Sequence, residues 1–250
     1  MMRLDKLEIY LNQLLDIAHF RDYCPNGLQV EGRSEVRHLV SGVTASLDFI
    51  QAAVEAGADA VLVHHGYFWR GEDPCLVGRK HRRIARLIKH DVGLLSYHLP
   101  LDSHPELGNN AQLALRLGFV ETSRFGDQDI AMCGTLSPGV SNVKELRMNI
   151  KRILQREPLV IGEDLKTVTR IAWCTGGAQD YFEEAIRLGV DVFITGEISE
   201  RTVHDARESG VAFIAAGHHA TERYGVQALG EHIAQKFGIT HQFIDIDSPV

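Results

Sequence analysis

The feature that most constrains the fold of this chain is an internal repeat. Residues 48–63 and 180–195 align acid with acid and apolar residue with apolar residue, and both contain a Gly-x-Asp step, at 57–59 and 189–191. Each copy is typical of a helix that ends at a glycine, followed by a short turn and a buried strand. Short apolar strands joined by helices indicate a largely parallel sheet, because parallel neighbours need a crossover connection.

The similarity continues on both sides of the repeat. Each copy follows a strand-like run and precedes a further helix and a further strand. These flanking segments are residues 39–44, 80–90 and 92–97 for the first copy, and 170–175, 202–209 and 211–215 for the second. We therefore predict an α/β fold of two similar halves, residues 1–121 and 122–250, related by a pseudo-twofold axis. The second half also takes a helix at 143–155, and the C-terminal segment can pack back on the first half.

Charge and composition exclude several classes of protein. The net charge is -7 and the densest basic run, residues 79–83, is typical of a solvated helix start, so nucleic acid is not an expected partner. The four cysteines are scattered without a C-x-x-C pair, which favours reduced thiols over disulfides or a thiolate zinc site. The sequence has no signal-peptide pattern and no run of about 18 apolar residues. We expect a cytoplasmic protein without a membrane partner.

Histidines and acids follow three of the predicted strands, at the points where those strands end. His64 and His65 close one apolar run, Asp102 follows a second, and His218 and Glu222 follow a third. Ligands of open α/β sheets collect at the carboxyl ends of the strands. The three clusters therefore predict one metal site at strand carboxyl ends between the two halves.

Each of these clusters has an alternative interpretation. Neighbouring side chains on a strand point to opposite faces, so His64 and His65 share a pocket only at a strand end, and otherwise one is packed and the other exposed. His218 and Glu222 are four residues apart and share a face if the segment is helical. His219 is an alternative ligand to His218, and a solvent-exposed helix start is the alternative for the whole segment.

Asp102 lies in a segment, residues 98–106, that two prolines should stiffen. Pro100 disfavours helix for the residue before it, so we expect a rigid loop that holds the carboxylate at a fixed position. The alternative is a carboxylate that only caps a turn. His98 and His104 are additional imidazoles, and one of them could carry a proton or orient a ligand.

Three imidazoles and two carboxylates are too many ligands for an open catalytic zinc site, which uses three. They suit two divalent ions about 3.5–4 Å apart that share a bridging group. Nitrogen and oxygen ligands without thiolate are compatible with Zn, Mn, Fe, Co or Ni. Such a pair of ions activates water for hydrolysis.

Six stretches, in order along nearly the whole chain, carry a resemblance to a known family. They are PNGLQV (25–30), GVT (42–44), ADAVLVHHG (58–66), HLPLD (98–102), DVFITGE (191–197) and GHHATE (217–222). The chain resembles the short bacterial form of the Nif-three-like family, whose members are labelled GTP cyclohydrolase 1 type 2 homologues. The resemblance implies two intertwined α/β halves, a toroidal homohexamer, and dinuclear metal ligands at the same five residues. The domain that longer members insert mid-chain is absent.

The family label implies opening of a guanine imidazole ring, which needs a metal-activated water and a proton donor. His98 and Glu197 are the candidate catalytic residues, with a structural role as the alternative for Glu197. The sequence contains neither a P-loop nor G-x-G-x-x-G to hold a triphosphate. The leading hypothesis is a dinuclear metal-dependent hydrolase with a nucleotide-like or heterocyclic substrate. The alternative is a metal-binding adaptor or metal-handling protein without catalysis.

Overall fold

The structure, a computed structural model, describes residues 1–250 as thirteen strands and nine α-helices. The strands are β1 (Met2–Arg3), β2 (Gly27–Val30), β3 (Glu35–Val36), β4 (His38–Thr44), β5 (Ala60–His65), β6 (Gly93–Ser96), β7 (Phe119–Phe125), β8 (Ala131–Leu136), β9 (Leu159–Ile161), β10 (Arg170–Trp173), β11 (Val192–Thr195), β12 (Ala212–Ala215) and β13 (Thr240–Phe243). The helices are α1 (Leu4–Leu14), α2 (Leu47–Glu55), α3 (Gly78–Lys89), α4 (Leu99–Ser103), α5 (Asn109–Leu117), α6 (Val143–Leu154), α7 (Phe182–Arg187), α8 (Glu200–Ser209) and α9 (His218–Phe237).

The chain divides into two compact units. The first comprises Met1–Gly108 and Gly225–Asp247, and the second comprises Asn109–Tyr224 and Ser248–Val250. The chain passes from the second unit into the first within α9. The division at residues 121 and 122, and the pseudo-twofold relation of the halves, stay predictions from the repeat.

The first unit contains a five-stranded sheet in the order β13-β4-β5-β6-β2 and a separate two-stranded sheet, β1-β3. β13, β4, β5 and β6 run parallel, and β2 closes the sheet antiparallel to β6. Alternate residues of the strands belong to two separate core clusters, one packed with α1 and α9 and the other with α2 and α3. Helices therefore cover both faces, as a buried parallel sheet requires.

The second unit contains a six-stranded sheet in the order β7-β8-β10-β11-β12-β9. Its three central strands are parallel, and the strands on either side of them are antiparallel. One core cluster packs β10, β11 and β12 against α5 and α6. Phe182 of α7 meets Phe193 and Phe213 of the sheet, with ring centroids 5.9 and 5.0 Å away.

The mixed α/β architecture confirms the predicted fold class, and its central strands follow the repeat. The first unit runs β4-α2-β5-α3-β6 and the second runs β10-α7-β11-α8-β12, in both cases with parallel neighbours. The predicted helix at 143–155 is α6. A helix with the length and apolar composition needed to cross a bilayer does not occur in the structure.

The aspartates of the Gly-x-Asp steps have matching roles in the two units. The amide of Asp59 donates to the carbonyl of His38 (2.9 Å), and the Asp59 carboxylate accepts from the amide of His38 (2.9 Å). Asp191 makes the same pair of bonds with Arg170, at 2.8 and 2.9 Å. Each aspartate therefore joins the start of one parallel strand to the turn before the next.

Replacing Asp59 with Ala is expected to lower the free energy of unfolding by about 2–3 kcal/mol, because Asp59 is a buried acceptor of several hydrogen bonds and its backbone donors lose a charged partner. The Asp59 carboxylate also accepts from the amide of Arg37 (2.7 Å) and from the guanidinium of Arg33 (2.7 Å). Urea unfolding would measure the change. Asp247→Ala, at an exposed position, is the control and should change stability by less than about 0.5 kcal/mol.

Asp59→Ala should also change how the free energy of unfolding depends on pH. Burial raises the pKa of Asp59, but the backbone donors and Arg33 outweigh burial and hold that pKa below its usual range. A carboxyl with a lowered pKa in the folded state stabilises the fold above its unfolded value near 4, and this contribution is lost as the pH falls through the folded value. The Asp59→Ala chain should therefore lose less stability than wild type between about pH 5 and pH 2. Parallel acid-unfolding curves for the two chains would argue against this role.

Candidate functional site

The first unit brings together four of the predicted site residues, His64, His65, His98 and Asp102, which we call the first-unit cluster. His64 and His65 are the last two residues of β5, and Asp102 lies on α4. One ligand atom from each of the three histidines lies within 4.8 Å of the others. His64 Nε2 lies 3.5 Å from Asp102 Oδ1. The strand end thus places both neighbouring imidazoles on one cluster, as the sequence predicted.

The hydrogen bond of His64 fixes which of its ring nitrogens carries the hydrogen. His64 is fully buried, and its Nδ1 lies 3.0 Å from the carbonyl oxygen of Tyr97. A carbonyl only accepts, so Nδ1 carries the hydrogen and Nε2 presents its lone pair. That lone pair is directed to the side of Asp102, which is itself 5% exposed. A buried imidazole nitrogen and a buried carboxylate oxygen at this separation could both bind one metal ion.

His98 is held by a residue that the sequence analysis missed. Its Nδ1 lies 2.7 Å from Asp22 Oδ1, and Asp22 Oδ2 also accepts from the amide of Leu99 (2.9 Å). The backbone amide of His98 donates to Asn26 Oδ1 (2.7 Å). Burial of the Asp22 side chain raises its pKa, but the hydrogen bond and the charge of His98 outweigh burial and lower the pKa to about 2. The pair therefore contains an ionised carboxylate that orients the imidazole.

The second unit brings together Glu197, His218 and Glu222, which we call the second-unit cluster. His218 and Glu222 lie one turn apart at the start of α9, as predicted, with His218 Nε2 3.2 Å from Glu222 Oε2. His218 Nδ1 donates to Glu197 Oε1 at 2.7 Å. Glu197 therefore orients His218 in the way that carboxylates orient metal-binding histidines. Glu222 is 3% exposed.

The two carboxylates favour a positive charge at His218. Burial lowers the pKa of His218, but Glu222 and Glu197 outweigh burial and raise it to about 9. A cation at Nε2 has to replace a proton that the apo imidazole holds at neutral pH, so metal binding at this residue would release a proton.

The backbone beside the second-unit cluster is shaped around it. Gly176 has φ 73°, and a Cβ at this residue would collide with Glu222 Oε1 and lie 3.2 Å from His218 Nε2. Its amide donates to Thr221 Oγ1 (3.0 Å), and its carbonyl accepts from Thr195 Oγ1 (2.9 Å). A glycine is thus required for the loop to approach the two side chains. The sequence pattern alone did not connect Gly176 to these residues.

The donor set of both clusters fits a divalent metal. Imidazole Nε2 atoms stand next to carboxylate oxygens, each imidazole Nδ1 that has a fixed acceptor is turned away from them, and no thiolate is included. Nitrogen and oxygen donors of this kind suit first-row transition metals and zinc. The His/Asp/Glu clusters could therefore hold metal ions.

Comparison with known proteins identifies the family. The sequence profile of Duf34/NIF3 (NGG1p interacting factor 3) matches residues 2–249. The chain belongs to the Duf34/NIF3 family. This confirms the resemblance that the six sequence stretches carried.

Relatives in this family are similar over almost their whole length. A Pseudomonas aeruginosa protein named GTP cyclohydrolase 1 type 2 homolog is 55% identical over 241 residues, with 95% of each chain covered. A Vibrio cholerae protein of the same name is 53% identical over 249 residues, with 98% of each covered. Among solved structures, the protein ybgI, described as of unknown function, superposes with a TM-score of 0.94 at 48% identity and covers 100% of both chains.

One local prediction about the site was wrong. Residues 99–103 form the short helix α4, whereas the two prolines predicted a loop around Asp102. Pro100 lies in the first turn of this helix, where the missing N–H is not needed and the fixed φ is compatible with helix. The carboxylate is nevertheless fixed in position, because the helix holds it beside His64.

Proposed function

We propose that His64, His65, Asp102, His218 and Glu222 together bind two divalent metal ions and that the chain is a metal-dependent hydrolase. Each cluster supplies only part of a coordination shell, and the two parts have the same composition of imidazole nitrogen and carboxylate oxygen. Zn, Mn, Fe, Co and Ni are all compatible with this donor set. Two ions with shared ligands are the arrangement that five protein ligands favour.

The observation that carries the proposal is the fixed orientation of two buried or half-buried imidazoles. His64 and His218 both use Nδ1 for a hydrogen bond to an oxygen acceptor, and both aim Nε2 at a buried carboxylate 3.5 or 3.2 Å away. A histidine that served only packing would not need a carboxylate at its second nitrogen. This arrangement occurs in two parts of the chain, and it supports a role for His64 and His218 as metal ligands over a purely structural role.

The chain's own residues have distinct roles in the proposed reaction. The metal ions, when bound, supply a Lewis acid that lowers the pKa of water. His98 is the candidate to move a proton to or from the substrate, because Asp22 holds its Nδ1 and leaves Nε2 available. Glu197, which the sequence analysis considered as a catalytic residue, instead supports the proposal as the group that orients His218. It is then a positioning residue.

The substrate class that we propose is a nucleotide-like or heterocyclic small molecule. The relatives' shared name, GTP cyclohydrolase 1 type 2 homolog, supports this class for the chain. Hydrolysis of a ring C–N bond needs water activation and a proton donor, and the proposed site offers both. We also propose that the chain acts in the cytoplasm as a toroidal homohexamer, whose mass in solution would be six times that of one chain.

Metal content per chain, measured by elemental analysis on protein purified without an affinity tag or chelator, tests the proposal. We expect about two ions per chain. Metal-loaded protein should then hydrolyse at least one compound in a panel of nucleotides, pterins and phosphoesters. Two ions without hydrolysis of any of these would favour the metal-handling alternative. No bound metal after reconstitution with Zn, Mn and Fe would overturn both.

A further inference from the structure

We propose that Trp69 and Tyr23 form a stacking subsite for the planar nitrogen heterocycle of a small-molecule ligand. Both rings pack edge-to-face against the imidazole of His98, with centroid distances of 5.0 Å for Trp69 and 6.5 Å for Tyr23. Trp69 also lies 6.0 Å from the ring of His65. The inference rests on the proposed function, because it names the ligand class for the same site.

Trp69 is fixed by its own loop and not by the hydrophobic core. Its indole Nε1 donates to the carbonyl of Gly66 (3.3 Å), and the carboxylate of Glu72 accepts from the backbone amides of Phe68 (3.1 Å) and Trp69 (3.3 Å). Lys80, which is buried, lies 3.3 Å from that carboxylate. The indole thus has a defined orientation although it is only half-buried.

The loop holds this orientation at a conformational cost. Phe68 has φ 65°, a left-handed conformation that bulky residues rarely adopt. Its side chain is 38% exposed and lies under the ammonium group of Lys80, 5.0 Å from the ring centroid. Strained non-glycine backbone of this kind persists where the surroundings fix it, and it concentrates at ligand-binding sites.

Tyr23 provides the second ring from a different loop. Its side chain is 54% exposed, and the guanidinium of Arg70 lies 5.7 Å from its ring centroid. Arg70 links the two loops, since its amide donates to the Tyr23 carbonyl (2.7 Å) and its guanidinium donates to the Asp22 carbonyl (3.0 Å). The loops that carry Tyr23 and Trp69 are therefore joined by hydrogen bonds beside His98.

The chemistry of the stacking subsite favours a planar ring over a sugar or a phosphate. Two acids of these loops are already engaged, Asp22 with His98 and Glu72 with Lys80 and the backbone amides. An exposed tyrosine ring and a half-buried indole next to the imidazole of His98 offer stacking, which any nitrogen heteroaromatic ring can use. A heterocycle stacked there would present its ring atoms to His98.

Tryptophan fluorescence tests the proposal directly, because the chain has only two tryptophans. Trp173 is fully buried in the core of the second unit, so Trp69 is the reporter. Guanosine 5′-monophosphate should quench the emission saturably, and ribose 5-phosphate, which lacks the base, should not. The Trp69→Phe chain, which emits from Trp173 alone, should show no saturable quenching and should still bind the nucleotide in calorimetry.

Substitutions then measure the contribution of stacking. Trp69→Ala should raise the Kd for the nucleotide roughly 5- to 100-fold, the usual effect of replacing a base-stacking aromatic residue with alanine. Trp69→Phe should raise the Kd less than about threefold. Tyr23→Ala changes an exposed side chain, so it tests the same surface if Trp69→Ala fails to fold. Equal Kd values for wild type, Trp69→Ala and Tyr23→Ala would overturn the subsite. Binding of a single-stranded oligonucleotide far more tightly than the nucleotide would overturn the small-molecule class.

Metal content separates this test from the test of the proposed function. A chain that binds two ions but binds the nucleotide equally well with and without Trp69 keeps the metal site and loses the stacking subsite. A chain that binds the nucleotide through Trp69 without any bound metal keeps the subsite and loses the hydrolase.

Discussion

The His218→Ala chain is expected to bind about one metal ion or fewer, compared with about two for wild type. His218 Nε2 stands 3.2 Å from Glu222 Oε2, so its removal takes one donor and leaves a buried carboxylate facing an incomplete shell. Elemental analysis of the purified chain measures the loss. His219→Ala is the matched control, because it removes the neighbouring imidazole, and it should keep the wild-type metal content.

A substitution in the first-unit cluster tests the same prediction from the other set of ligands. His64→Ala should also reduce the bound metal to about one ion or fewer, because in the proposed site the five ligands serve the same pair of ions. The double variant with His218→Ala should then lose little more than either single variant. A double variant that binds none, after each single variant has lost one ion, would mean that each cluster binds its own ion independently. Circular dichroism should show an unchanged fold in all three.

Much of the fold could be predicted because the repeat consists of signals between residues that are close together in the sequence. The Gly-x-Asp steps at 57–59 and 189–191 follow helices and precede β5 and β11. Their aspartates hydrogen-bond to β4 and β10, the strands with which β5 and β11 pair. Glycine at the helix end and apolar residues in the strand act over a few residues. The predicted strands and helices were therefore found close to their predicted positions.

The candidate ligands could be predicted for a related reason. Their residue types are those of a metal shell, and each follows a strand end that periodicity locates. The i, i+4 spacing of His218 and Glu222 is a helical signal, and α9 begins at His218. The error at residues 99–103 came from reading Pro100 as a helix breaker without counting its position in the turn.

The partners that orient these residues could not be predicted. Asp22 lies 76 positions from His98, and Glu197 lies 21 positions from His218. Pairings of this range depend on how the chain folds and leave no periodic signal in one sequence. The carbonyl of Tyr97, which sets the tautomer of His64, belongs to the backbone and has no residue-type signature at all.

His98→Ala is expected to lower kcat for the hydrolysed substrate by roughly 10²- to 10⁴-fold, the usual contribution of a positioned acid or base. Metal content should stay at the wild-type level, because the proposed ligands do not include His98. The comparison of turnover with metal content therefore distinguishes a proton carrier from a ligand. A loss of metal in parallel with activity would assign His98 to the coordination shell instead.

Asp22→Asn tests how the imidazole is prepared for that role. Asp22 can only accept at His98 Nδ1, where the two atoms are 2.7 Å apart, whereas an amide can donate there and favour the opposite tautomer. The Asn chain should therefore show a lower kcat with a nearly unchanged KM, and ¹⁵N NMR of the histidine rings should show a changed tautomer at His98. Burial raises the pKa of Asp22, but the bond from His98 holds it near 2, so the wild-type carboxylate stays ionised over the whole working range. An Asn chain with wild-type tautomer and reduced kcat would mean that the charge of Asp22, and not its acceptor geometry, supports the proton transfer.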